Sequence, residues 1–88
     1  MIKKKFVLKN KTGLHARPAT IFVQTSNNFK SSINVCCNER KADAKSILSV
    51  LTLGAEMGME IVIEINGNDE TDAIKALAKL IENKFGEE

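Results

Sequence analysis

The 88-residue chain predicts an α+β domain with helices on one face of an antiparallel sheet. Three observations carry this. Met59, Ile61, Ile63 and Ile65 alternate with Glu60, Val62 and Glu64, the period-two pattern of a half-buried strand. Ile74, Leu77, Ala78, Ile81 and Phe85 fall at helical spacing and share one face. The whole chain reads strand, helix, strand, strand, short helix, strand, helix, an order that suits helices gathered on one side of an antiparallel sheet.

The first strand is expected over residues 2–9, where Phe6 and Leu8 face a core while Lys5 and Lys9 face out, with Lys4 breaking the alternation toward Ile2. Asn10 to Gly13 is a polar turn. A helix follows over residues 16–28, burying Ala19, Phe22 and Val23 and ending at Ser26-Asn27-Asn28 before Phe29 closes the segment. Pro18 fixes where that helix starts, because proline is tolerated in the first turn, where its missing N–H would have had no intrahelical partner. Ile33, Val35 and Cys37 then alternate with Asn34 and Cys36. A turn near Asn38-Glu39 and a short strand over residues 40–43 complete a hairpin. Ser46 precedes the short apolar stretch Ile47, Leu48, Val50, Leu51 and Leu53, and is placed to cap a helix there. The strand through Ile61 to Ile65 should be central. After Asn66-Gly67-Asn68, Asp69 can cap the last helix, which Gly86 ends.

Composition narrows the function classes. Residues 1–88, at 43% hydrophobic, are sufficient for one core and one domain. No stretch approaches the roughly 20 apolar residues that span a bilayer. No signal-type apolar run follows Met1-Ile2-Lys3-Lys4-Lys5, so a cytoplasmic protein without membrane insertion is expected. A net charge of +2, with neither Trp nor Tyr, gives no footprint for nucleic acid. Lys3-Lys4-Lys5 reads as a solvated strand edge. Adjacent Cys36 and Cys37 would point to opposite faces of a strand, which is poor geometry for a disulfide or a shared metal. Cys37 is expected in the core and Cys36 outside it. With one distant histidine, no metal site is expected.

The functional signal is concentrated in Gly13-Leu14-His15-Ala16-Arg17-Pro18-Ala19, which holds the only histidine of the chain. Since the helix starts just before Pro18, His15 lies at or beside the N-cap. Alone, a histidine there is most often a polar cap residue, and its neighbours shift the reading. A helix start offers unpaired N–H groups, here those of Ala16 and Arg17, and the positive end of the macrodipole, both of which favour phosphate. Arg17 adds a forked donor for phosphate oxygens, and a neutral imidazole has a ring nitrogen free to attack phosphorus. Pro18 and Gly13 have geometric roles: one fixes the helix start, and the other lets the preceding loop bring His15 close.

This heptad, together with Lys45-Ser46-Ile47-Leu48 and Leu53-Gly54, resembles HPr, the histidine-containing phosphocarrier of the sugar phosphotransferase system, and the similarity runs over essentially the whole chain. The resemblance implies an open-faced β-sandwich, a four-stranded antiparallel sheet in order 1-4-2-3 with three helices on one face. Periodicity alone does not supply that strand order. It implies a carrier rather than an enzyme, accepting a phosphoryl group on Nδ1 of His15 from enzyme I and passing it to sugar-specific enzyme IIA proteins. Phosphoenolpyruvate is the ultimate donor, and no cofactor is required. A monomer with small, transient contacts is expected.

Ser46 is a second candidate site. A phosphate there would add about −1.5 to −2 charges at a helix N-terminus, a position that tolerates them well. Ile47, Leu48 and Leu51 are candidates for an exposed apolar partner contact. By resemblance, Ser46 matches the serine modified by HPr kinase/phosphorylase and read by catabolite control protein A. Ser49 stands where regulated members commonly carry glycine, and Leu48 where methionine or phenylalanine is frequent. Three other readings are a regulatory HPr-like corepressor acting through phosphorylated Ser46, a specialised HPr paralogue in another relay, and an anion-binding α+β module without transfer activity. The presence of both His15 and Arg17 disfavours the corepressor and the inert module.

Overall fold

Strands β1 (Ile2–Val7), β2 (Ser32–Cys37), β3 (Arg40–Asp43) and β4 (Glu60–Asn66) and helices α1 (Ala16–Ser26), α2 (Ile47–Leu51) and α3 (Glu70–Glu82) occur in the expected order. The computed structural model describes residues 1–87. The strands form one antiparallel sheet in the order β1-β4-β2-β3. The glycine-free turn joining β2 to β3 places Asn38 and Glu39 at φ 50° and 69°.

The alternation in β4 determines which face is covered. Ile61, Ile63 and Ile65 are fully buried under the helices, and Ile65 and Ile63 pair across to Ile33 and Val35 of β2. Slipping the register by one residue would turn all three isoleucines to solvent. Cys37 is buried on the same side, while Asn34, Cys36, Val62 and Glu64 stay half-exposed on the open face. There Glu64 pairs with Lys41 at 3.0 Å and Lys3 at 3.5 Å. The bond from Lys41 holds the Glu64 carboxyl below its usual range.

Several expectations needed correction. β1 stops at Val7, yet the chain stays paired for one more residue: the Leu8 N–H donates to the Met59 carbonyl at 3.0 Å and the Leu8 carbonyl accepts from Gly58 at 2.8 Å. Leu8 is therefore buried as expected. Lys4 lies opposite Ile63, on the covered side, and remains exposed because β1 is a sheet edge. Its ammonium rests 5.6 Å from the Phe6 ring centroid. Three consecutive lysines on this edge also discourage pairing with a foreign strand.

The last helix departs further. α3 ends at Glu82, and Lys84 and Phe85 take positive φ values of 56° and 53° in a 3-10 turn, Lys84–Gly86. That reversal, which helical periodicity does not encode, swings Phe85 into the core 6.5 Å from Phe22, centroid to centroid. Gly86 therefore ends the 3-10 turn, not α3. Asp69 occupies the N-cap position of α3 without capping it. Its carboxylate accepts instead from the N–H groups of Lys30 (2.8 Å) and Ser31 (3.0 Å) and from the Ser31 hydroxyl, which ties the α1–β2 connection to the start of α3.

These donors, the Ser31 hydroxyl foremost, hold the Asp69 carboxyl below its ordinary value. A carboxyl depressed in the folded state contributes stability that is full above its unfolded pKa and is lost as pH falls through its folded one. The stability difference between wild type and Asp69→Asn, measured by urea denaturation, should therefore shrink between about pH 7 and about pH 3. A difference independent of pH would remove Asp69 from this role.

Candidate functional site

Local geometry pushes the His15 ring outward. Leu14 is buried, and its N–H donates to the Ala55 carbonyl at 2.9 Å, so the next side chain must face solvent. Gly13 makes that anchoring feasible. It sits at φ +62°, and a Cβ there would lie 2.3 Å from the Ala55 carbonyl oxygen and 2.6 Å from Glu56 Cα. Only glycine fits both the left-handed backbone and the approach.

His15 is the N-cap of α1, in extended conformation (φ −91°, ψ −170°), and its side chain makes no capping bond. Its carbonyl accepts from Ala19 at 2.8 Å. Pro18 is the third helical residue, buried and without an N–H, so the first three helical residues offer two unbonded N–H groups, those of Ala16 and Arg17. Among the described residues neither has a partner. The exposed Arg17 guanidinium likewise makes no hydrogen bond or ion pair among them. The ring borders a depression of about 480 Å³ lined by Lys11, Thr12, His15, Glu56 and Met57. A ring nitrogen, two unspent N–H groups and a guanidinium on one helix start form a place where a phosphoryl group can be attacked and its charge neutralised.

Sequence reasoning found the heptad and missed its surroundings. Lys11 and Thr12 adjoin the motif and could have been read as part of it; Glu56 and Met57 arrive from a distant loop with no local signal. Glu87 was missed too. Its carboxylate accepts from Asn10 Nδ2 (3.1 Å), Thr12 N (3.4 Å) and Thr12 Oγ1 (2.8 Å). These bonds, that from the Thr12 hydroxyl first, hold the Glu87 carboxyl below its usual range, and the Arg17 charge adds a smaller pull.

Ser46 is the N-cap of α2, its hydroxyl accepting from the Ser49 N–H at 3.4 Å. α2 packs against α1, yet Ser46 does not line the depression beside His15. Of the apolar residues in this stretch, Leu48 (77% exposed), Ile47 (41%) and Leu51 (38%) face solvent, whereas Val50 and Leu53 are buried. Helical spacing alone does not make that division. Three bonds hold α2 and its flanks. Lys45 Nζ donates to the Phe29 carbonyl at 2.7 Å, Asn27 Nδ2 to the Lys45 carbonyl at 3.4 Å, and Arg40 Nη1 to the Thr52 carbonyl at 3.0 Å.

Among the described residues no cluster of three or more His, Cys, Asp or Glu side chains is arranged to hold a metal, and no helix is long and apolar enough to cross a membrane. Burial, followed by the Glu64 carboxylate, raises the Cys36 thiol, which works against a reactive thiolate.

Comparison with known proteins agrees with this geometry. A family model described as "PTS HPr component phosphorylation site" matches residues 2–83. A phosphocarrier protein HPr of Cupriavidus necator is 41% identical over 87 residues, 99% of this chain and 98% of the relative. A crystal structure of HPr-C-His from Thermoanaerobacter tengcongensis superposes with a TM-score of 0.97 at 50% identity, covering 100% of this chain and 99% of that one. A second structure from that organism, described as an HPr dimer, gives 0.80 at 49% identity, over 99% of this chain and 100% of that one.

Proposed function

The chain belongs to the HPr family of the phosphotransferase system, and on that premise we propose that it relays a phosphoryl group from enzyme I to enzyme IIA proteins through His15. The supporting observation is the exposed His15 ring at the start of α1, beside two unbonded N–H groups and the unpartnered Arg17 guanidinium. In the first transfer the Nδ1 lone pair attacks phosphorus, and a new N–P bond forms as the N–P bond to the enzyme I histidine breaks. The second transfer repeats this in reverse, with an enzyme IIA histidine as acceptor. The Ala16 and Arg17 N–H groups and the guanidinium neutralise the oxygens in transit. An open site suits the task, because a grip too firm would trap the group between donor and acceptor.

In this reading the protein is substrate and product of its partners rather than an enzyme, working as a monomer in the cytoplasm. Free Cys36 and Cys37 suit a reducing compartment. The exposed face of Ile47, Leu48 and Leu51 serves several partners in turn through small, short-lived contacts, with charge complementarity setting the encounter rate. Ser46 is the regulatory position, open to HPr kinase/phosphorylase, and its phosphorylated form is the one a corepressor role with catabolite control protein A would use.

The test is incubation with phosphoenolpyruvate and enzyme I, followed by intact mass and acid-lability measurements. One acid-labile phosphate is expected on the wild type and none on His15→Ala. An unlabelled wild type with its cognate enzyme I would sink the relay. In a parallel arm, ATP and HPr kinase should add an acid-stable phosphate that Ser46→Ala lacks, and an unmodified wild type would leave the relay alone.

A further inference from the structure

We propose that Glu87 is a positioning residue for the phosphoacceptor, its carboxylate fixing, through Asn10 and Thr12, the loop that presents His15. The proposal rests on the relay reading above. It starts from Asn10, which is 1% exposed although it is a polar residue in the loop between β1 and α1. The two hydrogens of its Nδ2 have separate destinations, the Gly13 carbonyl at 2.8 Å and Glu87 Oε1 at 3.1 Å. Both are acceptors, so the amide cannot be reversed without setting Oδ1 against a carbonyl and a carboxylate. That orientation leaves Oδ1 buried with no partner among the described residues. A buried acceptor without a donor is a liability that alanine at this position would avoid. What offsets it is the link from Glu87 to the carbonyl two residues before His15.

Thr12 completes the clasp. Its N–H shares Oε1 with Asn10, and its hydroxyl takes Oε2, so both carboxylate oxygens grip the same loop. On the other side, the Leu14–Ala55 bond and the packing of Gly13 against residues 55 and 56 hold the loop against a second segment. Glu87 is itself brought into place, because Phe85 is buried against Phe22 and the Glu87 N–H donates to the Lys84 carbonyl at 2.9 Å. Glu87 thus reaches the phosphoacceptor loop across 77 residues of sequence. Phosphoryl transfer depends on placement to within about 1 Å. Slack at Gly13 therefore moves the ring relative to the Ala16 and Arg17 N–H groups.

Two measurements on Glu87→Ala decide the matter. Amide hydrogen exchange, which needs no partner protein, should quicken about tenfold at Gly13 and Leu14 and stay unchanged at Ile63 in the core. Transfer from phosphorylated enzyme I should slow about fivefold or more, with Glu87→Gln recovering part of the loss because it keeps one acceptor oxygen. Unchanged exchange at Gly13 and Leu14 overturns the proposal. So does quickened exchange with a transfer rate within about twofold of wild type, which would make the clasp structural only. A wild type that takes no phosphate from enzyme I overturns the relay itself, while the exchange result still reports whether Glu87 orders the loop.

Discussion

Replacing Arg17 with alanine should slow phosphoryl transfer onto His15 roughly 100-fold, the usual loss when one preorganised donor is removed from a developing negative charge. The melting temperature should stay within about 3 °C of wild type, since surface changes without partners rarely alter stability. Both halves follow from one observation: the guanidinium is exposed and has no hydrogen bond or ion pair among the described residues. No direct bond ties it to the fold, so it is free to meet a phosphoryl group at the helix start. Arg17→Lys should fall between the two, because an ammonium supplies charge without the planar fork that meets two oxygens at once. Single-turnover transfer from phosphorylated enzyme I, with calorimetry alongside, checks both expectations. Near-wild-type transfer by Arg17→Ala would mean that the backbone N–H groups suffice.

Gly13→Ala should lower stability by about 3 kcal/mol, which lowers the melting temperature by more than about 10 °C in a domain this small. Two penalties combine. A left-handed backbone costs a residue with a Cβ about 1 to 2 kcal/mol, and forcing an atom into filled space costs about 1 to 3 kcal/mol. The obstruction is backbone, at 2.3 Å and 2.6 Å, and cannot rotate away as a flexible side chain would. Relief requires the Leu14–Ala55 bond to stretch or break, and that bond is what turns His15 outward. Transfer at His15 should fall together with the melting temperature. A Gly13→Ala variant that melts within about 2 °C of wild type would show that the two segments do not approach this closely.

Much of the fold was legible because burial alternates with so few exceptions. The isoleucines of β4, the hairpin of β2 and β3 and the proline-marked start of α1 each follow from local pattern. The β1-β4-β2-β3 order does not, since alternation says which face a strand buries and nothing about its neighbour; the resemblance to HPr supplied it. The end of α3 was misread because Phe85 falls on the helical stripe, yet reaches the core by a reversal at Lys84 and Phe85. Asp69 has the chemistry of a cap, and three donors in the α1–β2 connection compete successfully for its carboxylate. At the candidate site, the place of His15 at the start of α1 and of Pro18 in its first turn was legible, whereas the anchoring of Gly13 and Leu14 against Ala55 was not. Glu56, Met57 and Glu87 were not, because each reaches the site by folding rather than by position in the chain.

If partners dock on α2 in turn, as proposed, its tethers bear on how quickly one can replace another. Five residues are far too few for a helix to persist unaided, since isolated helices shorter than about 12 to 15 residues are marginal in water. Here Ser46 caps the start, Asn27 at the end of α1 and Phe29 just beyond it fasten Lys45 in the flank, and Arg40 closes the far end at Thr52. The exposed face of Ile47, Leu48 and Leu51 is thus presented on a stiff plate. A protein landing there needs no folding step and immobilises little that was free, so its affinity is not eroded by ordering. Such a plate permits collisions to become complexes without a conformational delay, and a small rigid contact can dissociate as readily as it formed.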